Sequence, residues 1–143
     1  MCVPGERRCP GGGCGTVPVH VDDQGAALPG AITHLIAGVP VSDLGVAIDW
    51  YTRFFGRQPD LCAGEEILWD IDEHATLFIE PNTARAGAGR ITFIVTGLDG
   101  LLERLAAQGI EHDPIETYSD GARHVKIPDP DGNAIAFVES PQS

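Results

Sequence analysis

The apolar positions that follow Ala31 are spaced first as in a strand and then as in a helix. From 32 to 41, apolar and polar positions mostly alternate, which is typical of a half-buried strand. The spacing then changes to intervals of four, three and four residues, in Leu44, Ile48, Tyr51 and Phe55. A helix is therefore predicted, with Ser42 or Asp43 as its cap and Gly56 as the left-handed residue that ends it.

Further strands are predicted between this helix and Pro81. Residues 66–70 and 75–80 are expected to form two strands joined by a polar turn, and a weaker strand is expected near Leu61. Residues 81–89 are then predicted to form a linker. The first half of the chain thus runs from one strand through one helix to three strands.

The second half repeats this order of elements. The alternating apolar residues Ile91, Phe93 and Val95 predict a strand, and a leucine-rich helix that ends at Gly109 follows it. Three more strands are predicted, at 115–118, 124–127 and 134–139. A turn rich in Asp, Pro and Gly joins the last two of them, as in a hairpin.

The repetition is also visible in the residues themselves. Residues 41–44 correspond to 95–98 at an offset of 54, and Gly56 corresponds to Gly109 at an offset of 53. Residues 70–80 align with 129–139 at an offset of 59, and six of these eleven positions are identical or exchange one branched apolar residue for another. We therefore interpret the chain from Ala31 onward as one module written twice.

The first 30 residues have a different character. They hold four of the prolines and a run of three glycines, with little apolar periodicity. Such a segment cannot offset the entropy lost on ordering, so residues 1–30 are predicted to be a flexible N-terminal tail. Residues 31–143 are then expected to form one domain, with modules at 31–81 and 89–140.

Net charge narrows the range of partners. The chain of 143 residues carries a formal charge of −12 at pH 7, which repels nucleic acid and anionic membrane surfaces. Its longest apolar run is shorter than the roughly 20 residues of a membrane helix. No apolar stretch of signal-peptide length follows Arg7 and Arg8, so a cytoplasmic location is expected.

The repeated order of elements, together with three short motifs, resembles one superfamily. The motifs are Val-Ser-Asp-Leu at 41–44, Phe-Phe-Gly at 54–56 and Asp-Pro-Asp-Gly-Asn at 129–133. The chain resembles the vicinal-oxygen-chelate superfamily, which includes glyoxalase I, extradiol dioxygenases and bleomycin-resistance proteins, over residues 32–139. The resemblance implies an α+β fold in which two βαβββ modules pair into a curved mixed sheet around a cleft, with the helices outside.

The resemblance also implies where metal ligands would lie, because metal-dependent members take them from the first and last strands of each module. The corresponding first-strand positions hold Ile36 and Arg90. The last-strand position holds Ala136, with Leu77 as its counterpart in the first module by internal symmetry. Three apolar side chains and a guanidinium cannot bind a divalent cation, so no metal cofactor is expected.

The sequence therefore predicts a small-molecule binding protein, with a possible homodimeric assembly. Ile36, Leu77 and Ala136 are expected at the floor of the cleft, and Arg90 can hold a carboxylate or phosphate. The expected ligand is a small, partly apolar molecule that can itself carry a negative charge. Polar contacts are expected from His34 and His124, and Trp69 is a candidate for stacking on a planar ligand.

An enzyme with a relocated metal site is the alternative. His34 lies two residues before Ile36 and points to the same face of the predicted strand, and His124 lies on a strand of the second module. With Glu80 they could hold Zn, Ni, Mn or Fe and support a lyase, isomerase or dioxygenase reaction. A cleft that binds a protein segment is a third hypothesis.

Overall fold

A computed structural model describes residues 30–141 of the chain. The first half contains β1 (Leu35–Val41), α1 (Leu44–Phe55), β2 (Leu61–Ala63), β3 (Glu66–Asp72) and β4 (Ala75–Pro81). The second half contains β5 (Arg90–Val95), α2 (Leu98–Ala107), β6 (Glu116–Thr117), β7 (Arg123–Pro128) and β8 (Ala134–Glu139). The predicted tail falls almost entirely outside the described residues.

Each half builds its own four-stranded sheet with the same topology. The strand orders are β1-β4-β3-β2 in the first sheet and β5-β8-β7-β6 in the second. The first strand of each half lies parallel to the last one, and the remaining pairs are antiparallel. The predicted α+β architecture of two βαβββ modules is confirmed.

Local sequence explains where α1 begins and ends. Asp43 is the N-cap, and its side chain accepts a hydrogen bond of 3.0 Å from the backbone N–H of Val46. Gly56 has a φ of 75° and ends the helix by donating its N–H to the carbonyl of Thr52. Of the two capping candidates, Asp43 therefore has this role, whereas Ser42 bonds elsewhere.

The start of α2 depends on a more distant residue. Its N-cap position is Gly97, which has no side chain to offer. The carboxylate of Glu139 on β8 instead accepts the N–H of Leu98 at 2.9 Å, and Arg123 on β7 holds the same carboxylate at 2.8 Å. These bonds hold the pKa of Glu139 below its ordinary range, the backbone N–H being the larger cause and Arg123 the next.

One hydrophobic core joins the two halves. Buried residues from both sheets and both helices form a single cluster. Within it, the ring of Phe54 on α1 stacks on Phe137 of β8 at a centroid distance of 5.6 Å and lies 6.4 Å from Phe93 of β5. Helix α1 thus covers strands of the second sheet as well as its own.

The turn between β7 and β8 forms a polar connection between the halves. Asn133 is fully buried, and its side chain donates to the carbonyl of Pro40 at 2.8 Å and accepts the N–H of Gly89 at 2.7 Å. Asp129 accepts the hydroxyl of Tyr51 at 2.7 Å. Burial, and then the neighbouring carboxylate of Asp129, raise the pKa of Tyr51 well above its ordinary value.

A further contact of the same turn completes this connection. Asp131 accepts hydrogen bonds from both the backbone N–H and the hydroxyl of Ser42, immediately before α1. We call residues 129–133, with these partners in the first half, the interhalf clamp. The sequence predicted only a hairpin turn at this position.

Candidate ligand-binding faces of the two sheets

Each sheet buries one face and leaves the other away from the core. In the first sheet, odd-numbered residues of β1, β3 and β4 are in the core, among them Val39, Trp69, Leu77 and Ile79. Because side chains alternate along a strand, the even-numbered residues point to the opposite side. We call this second side the open face of each sheet.

Phe78 is the largest side chain on the open face of the first sheet. It pairs with Gly38 across β4 and β1. A Cβ atom placed on Gly38 would clash with the Phe78 ring, approaching its Cε1 atom to 2.8 Å. The ring therefore lies against the bare backbone of Gly38, and the glycine is needed for this close approach.

A chain of hydrogen bonds lies beside this aromatic ring. Thr76 Oγ1 is 2.7 Å from Nε2 of His34 and donates to Asp70 at 3.0 Å. Since the hydroxyl proton is given to Asp70, the Thr76 oxygen accepts from Nε2–H of His34. In the neutral ring, Nδ1 of His34 then carries the lone pair and can accept a hydrogen bond from a ligand.

The open face of the second sheet combines cationic, apolar and imidazole groups. Arg90 and Ile94 project from β5, Ala136 from β8, and His124 and Lys126 from β7. His124 Nδ1 is 3.0 Å from a carboxylate oxygen of Glu116. The ring of Tyr118, which is half exposed, lies 6.2 Å from that of His124.

Most of the site residues predicted from sequence lie on these open faces. They are His34, Ile36 and Glu80 in the first sheet, and Arg90, His124 and Ala136 in the second. The side chain of Ile36 is 53% exposed, so a ligand could reach it. Whether any of these residues binds a ligand stays a prediction.

Leu77 and Trp69 are corrections to the predicted cleft. Leu77 is 1% exposed and Trp69 is 0% exposed, because both side chains point into the core. The indole N–H of Trp69 donates to the carbonyl of Arg57 at 3.1 Å, and its ring stacks on Phe55. Neither residue can line a binding face without disrupting the core.

The cause of the error is a slip of one residue in the internal alignment. Gly38 and Thr92 are equivalent at the offset of 54, and the structure pairs them with Phe78 and Ala136 respectively. Phe78 is therefore the counterpart of Ala136, in place of Leu77. A shift of one residue in a strand moves every side chain to the other face.

Three functional candidates could not be found from spacing along the chain. Phe78 was hidden by the slip, although the pairing of a glycine with an aromatic residue could have revealed it. Thr76 joins His34 to Asp70 only because β1 lies parallel to β4, a pairing that no local pattern encodes. The position of Lys126 on the open face of the second sheet likewise depends on the pairing of β7 with β8.

Comparison with known proteins agrees with this architecture. The family model of the Glyoxalase/Bleomycin resistance protein/Dioxygenase superfamily matches residues 31–137. The chain belongs to this superfamily. A glyoxalase/bleomycin resistance protein from Catenulispora acidiphila is 38% identical, covers 76% of this chain and 98% of its own, and superposes with a TM-score of 0.72. No protein of curated function has significant sequence similarity to the chain.

More distant members of the superfamily share the fold. Lactoylglutathione lyase from Agrobacterium tumefaciens is 20% identical, with a TM-score of 0.62 over 78% of this chain and 94% of its own. The antibiotic-binding protein TnmS3 from Streptomyces sp. CB03234 is 22% identical, with a TM-score of 0.63 over 80% of this chain and 99% of its own. At these identities the likeness concerns the fold alone.

The metal of the superfamily does not fit the side chains at its expected positions. Ile36, Phe78 and Ala136 offer no donor atom, and Arg90 is a cation. Among residues 30–141, no three His, Cys, Asp or Glu side chains are grouped closely enough to hold a metal ion. The predicted alternative set of His34, His124 and Glu80 is thus not assembled within the described part of the chain.

Proposed function

We propose that this protein binds a small, partly apolar molecule on the open faces of its sheets and does so without the divalent metal of its superfamily. The observation that carries the proposal is the exposure of large apolar side chains on faces that also hold hydrogen-bonding groups. Ile36 is 53% exposed and Ile94 is 75% exposed, and Phe78 adds an aromatic surface. Apolar surface with a few placed polar groups is typical of ligand sites.

The polar groups would orient the ligand. His34, held by Thr76, offers a hydrogen-bond acceptor on the same face as the Phe78 ring. The side chain of Arg90 makes no hydrogen bond or ion pair with any residue from 30 to 141, so its guanidinium is available to a ligand. The fold is compatible with such a role, since TnmS3 is described as an antibiotic-binding protein.

A thermal-shift screen with small aromatic and aliphatic compounds tests the proposal. Compounds that raise the melting temperature of the wild-type protein should lose most of that effect with Ile94→Ser. Val46→Ser is the matched control, because Val46 is 51% exposed on the surface of α1, away from both open faces. Equal losses in the two variants, or no stabilising compound at all, would count against the proposal.

A metal assay separates this proposal from the enzyme alternative. The purified protein is analysed for bound Zn, Ni, Mn and Fe, and its melting temperature is followed on adding EDTA. We expect no stoichiometric metal in the purified protein and no fall in its melting temperature when EDTA is added. One tightly bound ion whose removal lowers the melting temperature by several degrees, and whose binding His34→Ala abolishes, would favour the lyase, isomerase or dioxygenase hypothesis.

Location and assembly belong to the same proposal. No helix in the described residues is long and apolar enough to cross a membrane. The cytoplasmic location and the homodimer predicted from the sequence have not been tested and stay predictions. The same holds for the expectation that nucleic acid is not a partner.

A further inference from the structure

The positively charged side chains of residues 30–141 fall into two groups. Four have a partner within the protein, through carboxylates or backbone carbonyls: Arg53, Arg57, Arg104 and Arg123. Three are exposed and have no hydrogen bond or ion pair in this part of the chain: Arg85, Arg90 and Lys126. Three unpaired cations are unexpected in a chain of net charge −12, because acidic groups are abundant.

Two of these unpaired cations share one face. Arg90 on β5 pairs with Ala134, and Lys126 on β7 pairs with Ala136, both on β8. Ala134 and Ala136 are two residues apart on the same strand, so all four side chains are on the open face of the second sheet. The two cations flank β8 from opposite sides.

The distance between the flanking strands allows both cations to reach one group. Neighbouring strands lie about 4.8 Å apart, and the partners Ala134 and Ala136 are two residues apart along β8, so the Cα atoms of Arg90 and Lys126 are separated by roughly 12 Å. Arginine and lysine have long, flexible side chains, and the alanines between them place only methyl groups on this face, of which that of Ala136 is 4% exposed. A single anionic group above Ala134 and Ala136 can therefore contact both.

Electrostatics favours a bound anion in this arrangement. Two like charges on either side of one strand repel each other, and salt screens this repulsion only in part at such a distance. Two acidic residues lie beside β7: Asp113, whose backbone N–H donates to the carbonyl of Lys126 at 2.8 Å while its carboxylate forms no ion pair with the lysine among the described residues, and Glu116, which is already bonded to His124. An anion placed between Arg90 and Lys126 would relieve their repulsion and accept charge-assisted hydrogen bonds from both.

We propose that the open face of the second sheet is an anion site, in which Arg90 and Lys126 hold a carboxylate or phosphate group above Ala134 and Ala136. The apolar remainder of the ligand lies on Ile94 and Val138 in the next row of the same face. This inference rests on the proposed function and deepens it, because it names the ligand class as an amphiphilic anion and adds Lys126 to the site.

The test uses three probes that share one aromatic body: benzoate, phenyl phosphate and uncharged benzamide. Their dissociation constants for the wild-type protein are measured by titration, followed through backbone amide NMR shifts of residues 90–95 and 134–139. The variants are Arg90→Gln, Lys126→Gln and Arg90→Lys. Arg85→Gln is the matched control, since it removes the third unpaired cation, which lies in the linker between the halves.

We expect benzoate or phenyl phosphate to bind at least fivefold more tightly than benzamide at low ionic strength. Arg90→Gln and Lys126→Gln should each weaken that binding by about fivefold or more, and Arg85→Gln should leave it within about twofold. If benzoate is the preferred anion, Arg90→Lys should weaken its binding, because lysine cannot bind a carboxylate through two parallel bonds. If phenyl phosphate is preferred, Arg90→Lys should retain most of the affinity.

Two results would overturn the inference and have different meanings for the proposed function. If benzamide binds as tightly as the anions, and the Arg90 and Lys126 variants behave like Arg85→Gln, the anion site is wrong and the proposed binding function survives. If none of the three probes shifts the open-face amides, the anion site is wrong and the open face of the second sheet loses its proposed role as well.

Discussion

The two hairpins that close the sheets show how the halves of a duplicated chain have diverged. In the first half, β3 and β4 are joined by two exposed residues, Glu73 and His74. In the second half, β7 and β8 are joined by five residues, 129–133, which form the interhalf clamp. One turn merely reverses the chain, while the other also holds the two halves together.

The largest expected effect is on the free energy of unfolding, and it tests the difference between the two turns. Asn133→Ala would leave the part-buried N–H of Gly89 and carbonyl of Pro40 without partners, so we expect a loss of about 2–3 kcal/mol in the free energy of unfolding. The matched change in the other turn, Asp72→Ala, removes only an exposed bond to the N–H of His74 and should cost under about 1 kcal/mol. Urea denaturation measures both, and similar losses would remove the distinction between the turns.

A smaller effect on stability is expected at Gly38, which lies against the Phe78 ring on the open face of the first sheet, where the second sheet has Thr92. Gly38→Ala places a Cβ against the Phe78 ring and should cost about 1–3 kcal/mol by displacing it. In a Phe78→Ala background the same change should cost much less, which a double-mutant cycle detects. Thr92→Val, at the equivalent position of the second sheet, should change stability by less than about 1 kcal/mol. Additive effects of the Gly38 and Phe78 changes would show that the ring does not need the glycine.

The smallest expected effect on stability concerns the N-termini of the two helices: Asp43 caps α1 locally, whereas the start of α2 depends on Glu139 of β8. This effect depends on pH. The pKa of Glu139 is lowered in the folded protein, so its carboxylate stabilises the fold fully above the ordinary glutamate pKa of about 4.3 and loses this contribution as the pH falls through the folded value. Glu139→Gln should therefore be less stable than wild type at pH 7, and the difference should shrink below about pH 4. Urea denaturation across this range checks it, and a constant difference would mean that the charge is irrelevant.

Much of the fold could be predicted from local pattern. The limits of α1, the left-handed Gly56 and the repeated order of elements all follow from apolar spacing and capping residues, which act over a few positions. The prediction was less accurate at strand ends: β1 begins at Leu35 and leaves Ile32 almost fully exposed, and β6 has two residues where four were expected. Short edge strands depend on their partners more than on their own sequence.

The candidate site was harder to predict, because it depends on register. The alignment of 70–80 with 129–139 at an offset of 59 matched residues well, but the strand pairing makes Phe78 equivalent to Ala136, an offset of 58, and this slip of one residue moved Leu77 to the wrong face. Placing Thr76 beside His34, or Lys126 beside Arg90, requires knowing which strands are neighbours. That information comes from long-range pairing, so spacing along the chain could not supply it.

The position of Phe54 has a consequence for how this protein unfolds. A ring that belongs to the first helix but stacks on the second sheet cannot stay buried when either half opens. Each module therefore lacks part of its own interior, and we expect neither to fold on its own. We expect the two copies to lose their order together, in one cooperative unfolding transition.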